Sequence, residues 1–350
     1  MWAELIVVGI KLAFVLAVLL TTVPIMVWVE RRASALIQDR LGPNRVGPFG
    51  LFQPVVDAVK LITKENLIPT GVQKFLYILA PVIALTIALS TFIAVPFGQD
   101  ADLELFGHAI DGLIVAPDLN IGILYIFAIA SLGVYSVVIA GWSSNNKYSL
   151  YGGIRASAQV ISYELAMTVS VVGVLMAASS LQLHQVVDAQ SGTWLGVLPH
   201  WNVFPQFIGA ITFMVAVFAE TNRMPFDLPE AEAELVSGYM TEYSAMKYAA
   251  FFMGEYVHMT VGASLMTVLF FGGWNLPYVD VPFSGWLGAL FSMSVFATKV
   301  AFFLWFFVWV RWTLPRFRFD QLMALGWKVM VPLAVLNFLW VGFAMTLGIL

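Results

Sequence analysis

The sequence of 350 residues contains no cysteine, and only 11% of its residues are charged. The missing cysteines exclude a disulfide, a cysteine-ligated iron–sulfur cluster and a thiolate nucleophile in this chain. The few histidines show no metal-ligand spacing. Neither a serine elbow nor a phosphate-binding glycine loop is present. By itself, the chain therefore has none of the usual motifs for hydrolysis, nucleotide binding or electron transfer.

Apolar residues dominate instead, at 60% of the chain, and they occur in long runs from one end to the other. A helix that spans a bilayer needs about 20 mostly apolar residues, and about eight such segments are present. They are Leu5–Trp28, Phe75–Val95, Ile121–Trp142, Val160–Ser180, Phe204–Ala219, Tyr248–Phe271, Trp286–Val310 and Val329–Leu347. The sequence predicts an all-α polytopic membrane protein that forms a single membrane domain over residues 1–350.

The distribution of charge predicts the orientation of these spans. Every Lys and Arg except Lys11 and Lys299 lies in or beside the loops at 29–74, 143–159, 220–247 and 311–328. The other three loops carry only acids among their Asp, Glu, Lys and Arg residues, which are Asp100, Asp102, Glu104, Asp111, Asp118, Asp188 and Asp280. Because basic loops stay on the cytoplasmic side, we expect both termini on the outer, periplasmic side.

The first basic loop contains an amphipathic segment that is too short to span. Its apolar residues recur at helical spacing, with polar residues such as Gln53 and Lys60 on the opposite face. This pattern predicts a helix that lies in the membrane interface. Two interpretations stay open at this stage, a structural anchor and a surface that contacts a ligand.

The third basic loop is unusual because it contains the acidic stretch "PFDLPEAEAELVSGY" at 225–239. Asp227 is positioned to cap a short helix that opens at Pro229, with Glu230 in its first turn. Glu230 and Glu234 would share one face, and Glu232 would point away. A dipole-matched helix start and a functional acidic cluster are both compatible with this pattern.

Ionisable residues also lie at membrane depth, at Glu164, Glu220, Glu255 and Lys299. A charge there costs at least about 2.5–3.5 kcal/mol, so such residues usually face a protein interior or water. A structural Glu–Lys pair is one interpretation. A path for protons or ions fits better, because acids outnumber the buried cations. His258, one turn after Glu255, would extend such a path or simply pack in the core.

Four stretches of this sequence resemble a known family. They are "ERRASALIQDRLGPNRVGPFGLFQPVVDAVKLITKE" at 30–65, "RASAQVISYEL" at 155–165, "AETNRMPFDLPEAEAELVSGYMTEYSAMKYAAFFMGEY" at 219–256 and "RWTLPRFRFDQLMALGWK" at 311–328. The chain resembles the family of the H subunit of bacterial NADH–quinone oxidoreductase, respiratory complex I, which includes mitochondrial NADH dehydrogenase subunit 1. The resemblance covers all four basic loops and their flanking spans.

The resemblance implies a site with two parts. The amphipathic helix and the first and sixth spans would frame a lateral portal for the isoprenoid tail of a quinone. The quinone chamber and portal would include Arg31, Arg40, Arg45, Phe52, Gln53, Val55, Val56, Asp57, Val59, Phe226, Asp227, Arg311, Arg316 and Arg318. Proton transfer and coupling would use Glu164, Glu220, Glu230, Glu232, Glu234, Glu242, Glu255 and Lys299.

The resemblance further implies a translocase subunit in the bacterial inner membrane without a redox cofactor of its own. Quinone, by resemblance ubiquinone, would be the substrate, while partner subunits would hold FMN and iron–sulfur clusters. The partners would be the peripheral-arm subunits at the quinone site and the small antiporter-like membrane subunits. The nearest rival is the related subunit of membrane-bound nickel–iron hydrogenases. A plastoquinone relative, a self-standing ion carrier and a membrane scaffold are further alternatives.

Overall fold

The computed structural model describes residues 2–99, 104–105, 108–109, 114–116, 119–194, 198–228, 232–278 and 285–348. The helices of this part of the chain are α1 (Trp2–Ile37), α2 (Gln53–Thr63), α3 (Lys74–Thr91), α4 (Gly122–Ser131), α5 (Gly133–Ser143), α6 (Lys147–Ala178), α7 (Leu183–Asp188), α8 (Phe207–Glu220), α9 (Glu232–Leu235), α10 (Ala245–Phe270), α11 (Gly285–Thr313), α12 (Phe319–Leu325) and α13 (Val331–Thr346). Short 3₁₀ turns occur at Pro48–Gly50, Phe92–Ala94 and Gly238–Met240, and a π turn at Gly326–Met330 joins α12 to α13.

Sheet structure in the described residues is limited to two small hairpins. Strand β1 (Glu104–Leu105) pairs antiparallel with β2 (His108–Ala109), and β3 (Thr193–Trp194) pairs antiparallel with β4 (Leu198–Pro199). Both hairpins lie in the loops that sequence assigns to the outer side. Of the acids predicted there, Asp100, Asp102, Asp111, Asp118 and Asp280 lie outside the described residues.

The predicted all-α membrane architecture is confirmed. Six helical segments are long and apolar enough to cross a membrane, at Ile6–Ile37, Lys74–Ala94, Gly122–Ser143, Lys147–Ala178, Gly285–Thr313 and Phe319–Thr346. The short apolar helix α8 and the 26-residue helix α10 match the other two predicted spans. Helix α10 is less apolar than the six candidate spans because Glu255 and His258 lie within it. It is largely buried among the other helices.

Several boundaries differ from the sequence prediction. The third span consists of α4 and α5, which meet at Leu132. Helix α6 begins at Lys147, so most of the predicted loop 143–159 is helical. The last span begins at Phe319 rather than Val329. Its first turns carry Asp320 and Lys328. These charges interrupt the apolar run, so the sequence pattern places the start of the span too late.

The four basic loops meet at one end of the bundle. Gln73 N donates to Ser143 O at 3.2 Å, and Phe317 N donates to Pro225 O at 3.1 Å. The Tyr77 hydroxyl donates to the carbonyl of Glu242 at 2.6 Å. The positively charged face predicted from sequence is therefore a single surface of the fold.

Two close approaches fix the helices around α10 and the acidic loop. A Cβ added at Gly262 of α10 would lie 2.2 Å from a methyl of Val217 on α8. A Cβ at Gly152 of α6 would lie 2.7 Å from Gly238 in the acidic loop. Since real Cβ atoms do not pack this tightly, glycine at these positions lets α8 and the loop reach their neighbours. The carboxylates at the end of α8 and on α10 are brought together in this way.

Candidate functional site

An apolar cavity of about 420 Å³ lies between α1, α2 and α10. Its walls are aliphatic and aromatic, and Arg31 and Asp57 also line it. The Arg31 Nη1 atom lies 2.5 Å from Asp57 Oδ2, and Gln53 Nε2 donates to Asp57 Oδ1 at 3.1 Å. This cavity, which we call the α1–α2 cavity, is shaped for an apolar chain with a polar group held near the ion pair.

The predicted amphipathic helix is confirmed as α2, and the structure separates its two apolar faces. Pro54, Ala58, Leu61 and Ile62 line the α1–α2 cavity. The apolar residues of the amphipathic segment that are predicted to form the portal are about half exposed on the other side, and they are Phe52, Val55, Val56 and Val59. That outer face suits contact with lipid, because a surface helix places its apolar side in the bilayer. Arg40 and Arg45 are in the loop before α2, where Arg40 is exposed.

A buried cluster of charges lies at the end of α1, next to this cavity. Glu30 contacts Arg311 of α11 and accepts a hydrogen bond from the Tyr256 hydroxyl at 2.5 Å. Arg223 Nη1 lies 3.8 Å from Glu30 Oε2, and Arg223 Nη2 lies 3.5 Å from Glu255 Oε2. The Arg223 guanidinium stacks over the Tyr256 ring at 4.3 Å. Oppositely charged groups from four parts of the chain thus share one buried site, which we call the Glu30 cluster.

Beyond the Glu30 cluster is a second cavity of about 70 Å³, whose lining mixes apolar residues with ionisable and polar ones. Glu220, Glu255, His258, Asn222 and Tyr239 are among its lining residues. The Tyr239 hydroxyl donates to Glu255 Oε1 at 3.4 Å. This volume holds about five to seven waters at roughly 10–15 Å³ each, and the polar residues of the lining offer them partners. We call it the Glu220 cavity.

Glu164 lies on α6 near the same region. Its carboxylate accepts a hydrogen bond from the Ser131 hydroxyl at the end of α4, and it is close enough to Glu220 for the two to interact electrostatically. Glu164, Glu220 and Glu255, three of the acids predicted to form a path, are therefore neighbours in the fold.

The remaining predicted acids lie nearer the basic end. Glu242 Oε1 accepts a hydrogen bond from Asn146 Nδ2 at 2.6 Å. Glu234 is exposed and pairs with Arg155 at 2.6 Å. Glu230 lies outside the described residues, as does the side chain of Glu232, so the predicted cap at Pro229 is not described.

Gln159 holds the first part of the acidic loop. Its buried Nε2 atom donates to the carbonyls of Ala219 and Phe226 at 2.8 Å each. Phe226 is buried and packs against Tyr163 and Phe317. Asp227, the next residue, is partly buried.

The predicted basic residues do not form one group. Lys299 Nζ donates to the carbonyls of Phe271, Gly273 and Asn275 at 2.7–2.9 Å, beyond the end of α10 that is opposite the basic loops. Arg316 is exposed, and Arg318 makes two 2.6 Å hydrogen bonds to Asp320. Of the four, only Arg311 joins the Glu30 cluster.

Glu30, Arg223 and Tyr256 were not among the residues selected from sequence. Glu30 and Arg223 lie just past the ends of apolar runs, where a charge normally marks the membrane boundary. One signal was available, because all three lie within the stretches that carry the family resemblance.

The fold and site define a multi-pass helical membrane protein in which a buried ion cluster lies beside an apolar cavity and a second cavity lined by carboxylates. A family model described as NADH dehydrogenase matches residues 10–342. The H subunit of NADH-quinone oxidoreductase from Bdellovibrio bacteriovorus is 46% identical over 364 aligned positions, covering 95% of this chain and 94% of the relative. The first of the H subunits of Cytophaga hutchinsonii is 48% identical, covering 90% of each chain, and subunit 8 from Rhodothermus marinus is 45% identical, covering 94% of each. The chain belongs to the NADH dehydrogenase family that contains these H subunits of NADH-quinone oxidoreductase.

Proposed function

We propose that this chain is the membrane subunit of a proton-translocating NADH–quinone oxidoreductase that admits quinone from the bilayer and couples its reduction to proton movement. The family of the chain supports the enzyme, whose FMN and iron–sulfur clusters then reside in partner subunits of the peripheral arm. The basic end would face these partners in the cytoplasm, with both termini in the periplasm of a bacterial inner membrane. Small antiporter-like membrane subunits would receive the coupling.

The observation that carries this proposal is the order of the three parts of the site. The α1–α2 cavity has apolar walls and a single ion pair, so it suits an isoprenoid tail. The Glu220 cavity has carboxylates and room for water, so it suits protons. The Glu30 cluster lies between the two cavities. It includes Glu30 of α1, a helix that lines the α1–α2 cavity, and Glu255 of α10, a helix that lines both cavities.

This arrangement lets a change of charge at the quinone reach the carboxylates. Glu30 and Glu255 flank the same guanidinium, Arg223, at 3.8 and 3.5 Å. Interactions between charges are strong where water is scarce, so a shift of Arg223 toward one carboxylate weakens its hold on the other. The acidic loop, held by Gln159, follows Arg223 directly and so shares any movement of the cluster.

The portal is tested by narrowing the α1–α2 cavity. Ala58 lines that cavity, so Ala58→Trp should obstruct a long isoprenoid tail. When the isoprenoid tail fills the cavity, the added indole competes for the same space, and overpacking of this kind costs about 1–3 kcal/mol in protein interiors. This range corresponds to a rise of about 5- to 150-fold in the KM for a long-tailed quinone. A short-tailed quinone should be affected less, and NADH oxidation by a water-soluble acceptor should be unchanged.

Val59 offers a matched control on the next residue of α2. Its side chain is 54% exposed on the outer face, so Val59→Trp adds bulk outside the cavity. The purified complex in lipid vesicles should show an unaltered KM for both quinones with this variant. Equal effects of the two tryptophans, or equal effects on long and short quinones, would contradict a portal in the α1–α2 cavity.

A further inference from the structure

His258 lies at the boundary between two internal spaces. It lines the Glu220 cavity together with Glu220 and Glu255. It also lines a second, much smaller space of about 10 Å³, again together with Glu220. Glu220 and His258 are the only titratable side chains lining both of these two spaces among the described residues. They therefore form part of the wall between them.

The smaller space is bordered by residues close to Glu164 along α4 and α6. Its other lining residues include Ala130 and Met167. Ala130 precedes Ser131, whose hydroxyl contacts the Glu164 carboxylate. Met167 lies three residues after Glu164 on α6, which places the two on the same side of that helix. The Glu164–Ser131 pair is therefore the nearest acceptor that we assign to a proton on this side of the wall.

Water alone is poorly suited to this crossing. A space needs roughly 10–15 Å³ to hold one water, so the smaller space is at that limit while the Glu220 cavity holds several. Apart from Thr91, Glu220 and His258, the side chains and backbone that line the smaller space come from apolar residues and Gly262, so they offer few partners to a water. The Thr91 hydroxyl is already bonded to the Ala88 carbonyl at 2.7 Å. Proton transfer across this wall therefore involves the two titratable side chains that line both spaces, Glu220 and His258.

We propose that His258 is a proton carrier between Glu255 and the Glu220–Glu164 side of the path, an inference that rests on the proposed function. One ring nitrogen accepts a proton from the Glu255 side while the other releases a proton toward Glu220 or Glu164. The imidazole stays neutral overall and changes tautomer, and rotation of the ring restores the starting form. His258 follows Glu255 by three residues on α10, so the two side chains lie on the same side of the helix.

A role in packing alone explains the residue less well. An aliphatic side chain would fill the apolar side of the wall without the free-energy cost of burying an imidazole. The groups that face His258 from neighbouring elements include Glu220 at the end of α8 and Tyr239 in the acidic loop. An imidazole that lines one space together with two carboxylates and a phenol can exchange protons with them directly or through water.

The test uses His258→Asn in the assembled complex, reconstituted in vesicles. Asparagine keeps a polar group near one ring nitrogen but does not relay a proton between two nitrogens. Positioned proton transfer contributes about 10²–10⁴-fold to rates, and cavity water offers a slower bypass, so we expect quinone reduction and proton pumping to fall about 10- to 100-fold. The solvent deuterium isotope effect on quinone reduction should rise. NADH oxidation by a water-soluble acceptor should not change.

His200→Asn is the matched control, because His200 Nδ1 contacts the Ala189 carbonyl at 2.9 Å in a loop at the other end of the bundle. Wild-type rates and isotope effect in His258→Asn would overturn the proposal. If His258→Asn does not assemble, His258→Gln takes its place. If both variants also lose NADH oxidation by the water-soluble acceptor, His258 has a role in assembly and not in proton transfer. Glu220→Gln distinguishes a failure of the proposed role of His258 from a failure of the proposed carboxylate path. A slow Glu220→Gln beside a normal His258→Asn removes only the role of His258, whereas normal turnover in Glu220→Gln removes the carboxylate path itself.

Discussion

The charge of Glu30 should be a major determinant of stability. Glu30 and Arg223 are only 7% and 5% exposed, and Glu30 contacts both Arg311 and the Tyr256 hydroxyl. Glu30→Gln keeps the shape and an oxygen that accepts the Tyr256 hydrogen bond, but it removes the negative charge. Arg223 and Arg311 then share Glu255 as their nearest acid within the cluster. Removing one partner of a buried ion pair costs about 3–5 kcal/mol.

The double variant Glu30→Gln/Arg311→Gln shows whether the cost comes from uncompensated charge. It leaves Arg223 paired with Glu255, so the cluster is neutral again. Replacing a whole buried pair costs far less than breaking one. We therefore expect the double variant to be more stable than Glu30→Gln, although it carries one more substitution.

Unfolding of the full chain in mixed micelles, followed by tryptophan fluorescence at rising dodecyl sulfate, measures these differences. A loss of 3–5 kcal/mol lowers the ratio of folded to unfolded chain by about a hundredfold to a few thousandfold. Asp57→Asn is the control, because Arg31 and Asp57 are 47% and 31% exposed, and an exposed pair contributes about 0–1 kcal/mol. The reasoning fails if Glu30→Gln behaves like Asp57→Asn, or if the double variant is less stable than the single one.

Two further predictions concern other parts of the fold. Lys299→Met should destabilise the chain by about 1.5–3 kcal/mol or more in the same assay, because three carbonyls lose a charged donor. The hydroxyl of the neighbouring Thr298 bonds within its own helix, so Thr298→Ala should change stability by less than about 0.5 kcal/mol. Equal effects of the two variants would contradict a stabilising role for the bonds from Lys299 to these carbonyls. Burial raises the pKa of Tyr243, which precedes α10, to about 12. Since a tyrosine in an unfolded chain ionises near pH 10, the contribution of Tyr243 is present below pH 10 and is lost between about pH 10 and 12, at up to about 1.4 kcal/mol per pH unit. Tyr243→Phe should therefore make alkaline unfolding less steep in that window, and an unchanged slope would contradict the assignment.

The spans and the interfacial helix were predictable because they depend on local properties. An apolar run of sufficient length must be helical in lipid, where each backbone group needs a partner. The helical period of apolar residues likewise predicted α2. The start of the last span was not predictable in this way, since Asp320 and Lys328 belong to its first turns. A hydropathy criterion treats such charges as loop.

The face of α2 that borders the cavity was also beyond the sequence. Phe52, Val55, Val56 and Val59 contribute most of the helical pattern of apolar residues, yet they lie on the outer face. The cavity is lined by Ala58 and Pro54 among others. Which face of α2 borders a cavity depends on how α1 and α10 pack beside it, and the sequence of α2 alone does not contain that information.

The Glu30 cluster could not be derived from spacing because its members are far apart in sequence. Glu30 and Arg311 are separated by 281 positions, and Tyr256 lies 226 positions from Glu30. Each charge occurs alone near the end of an apolar run, where a solvated position is the ordinary expectation. Only the packing of α1 and α11 around α10 shows that these ends are buried together.

The position of Glu30 on α1 gives the proposed coupling its shortest route. Glu30 belongs to the buried cluster, while Arg31, the next residue, lines the α1–α2 cavity and pairs with Asp57. Successive residues on a helix point about 100° apart, so the last turns of α1 face both the cavity and the cluster at once. A group that binds beside Arg31 and shifts this turn must also shift Glu30 relative to Arg311 and Arg223. Because Arg223 lies between Glu30 and Glu255, the carboxylates of the Glu220 cavity respond without any long chain of intermediate contacts. Coupling of this kind requires the turns that carry Glu30 and Arg31 to move together, and both residues lie after Pro24 in the last part of α1.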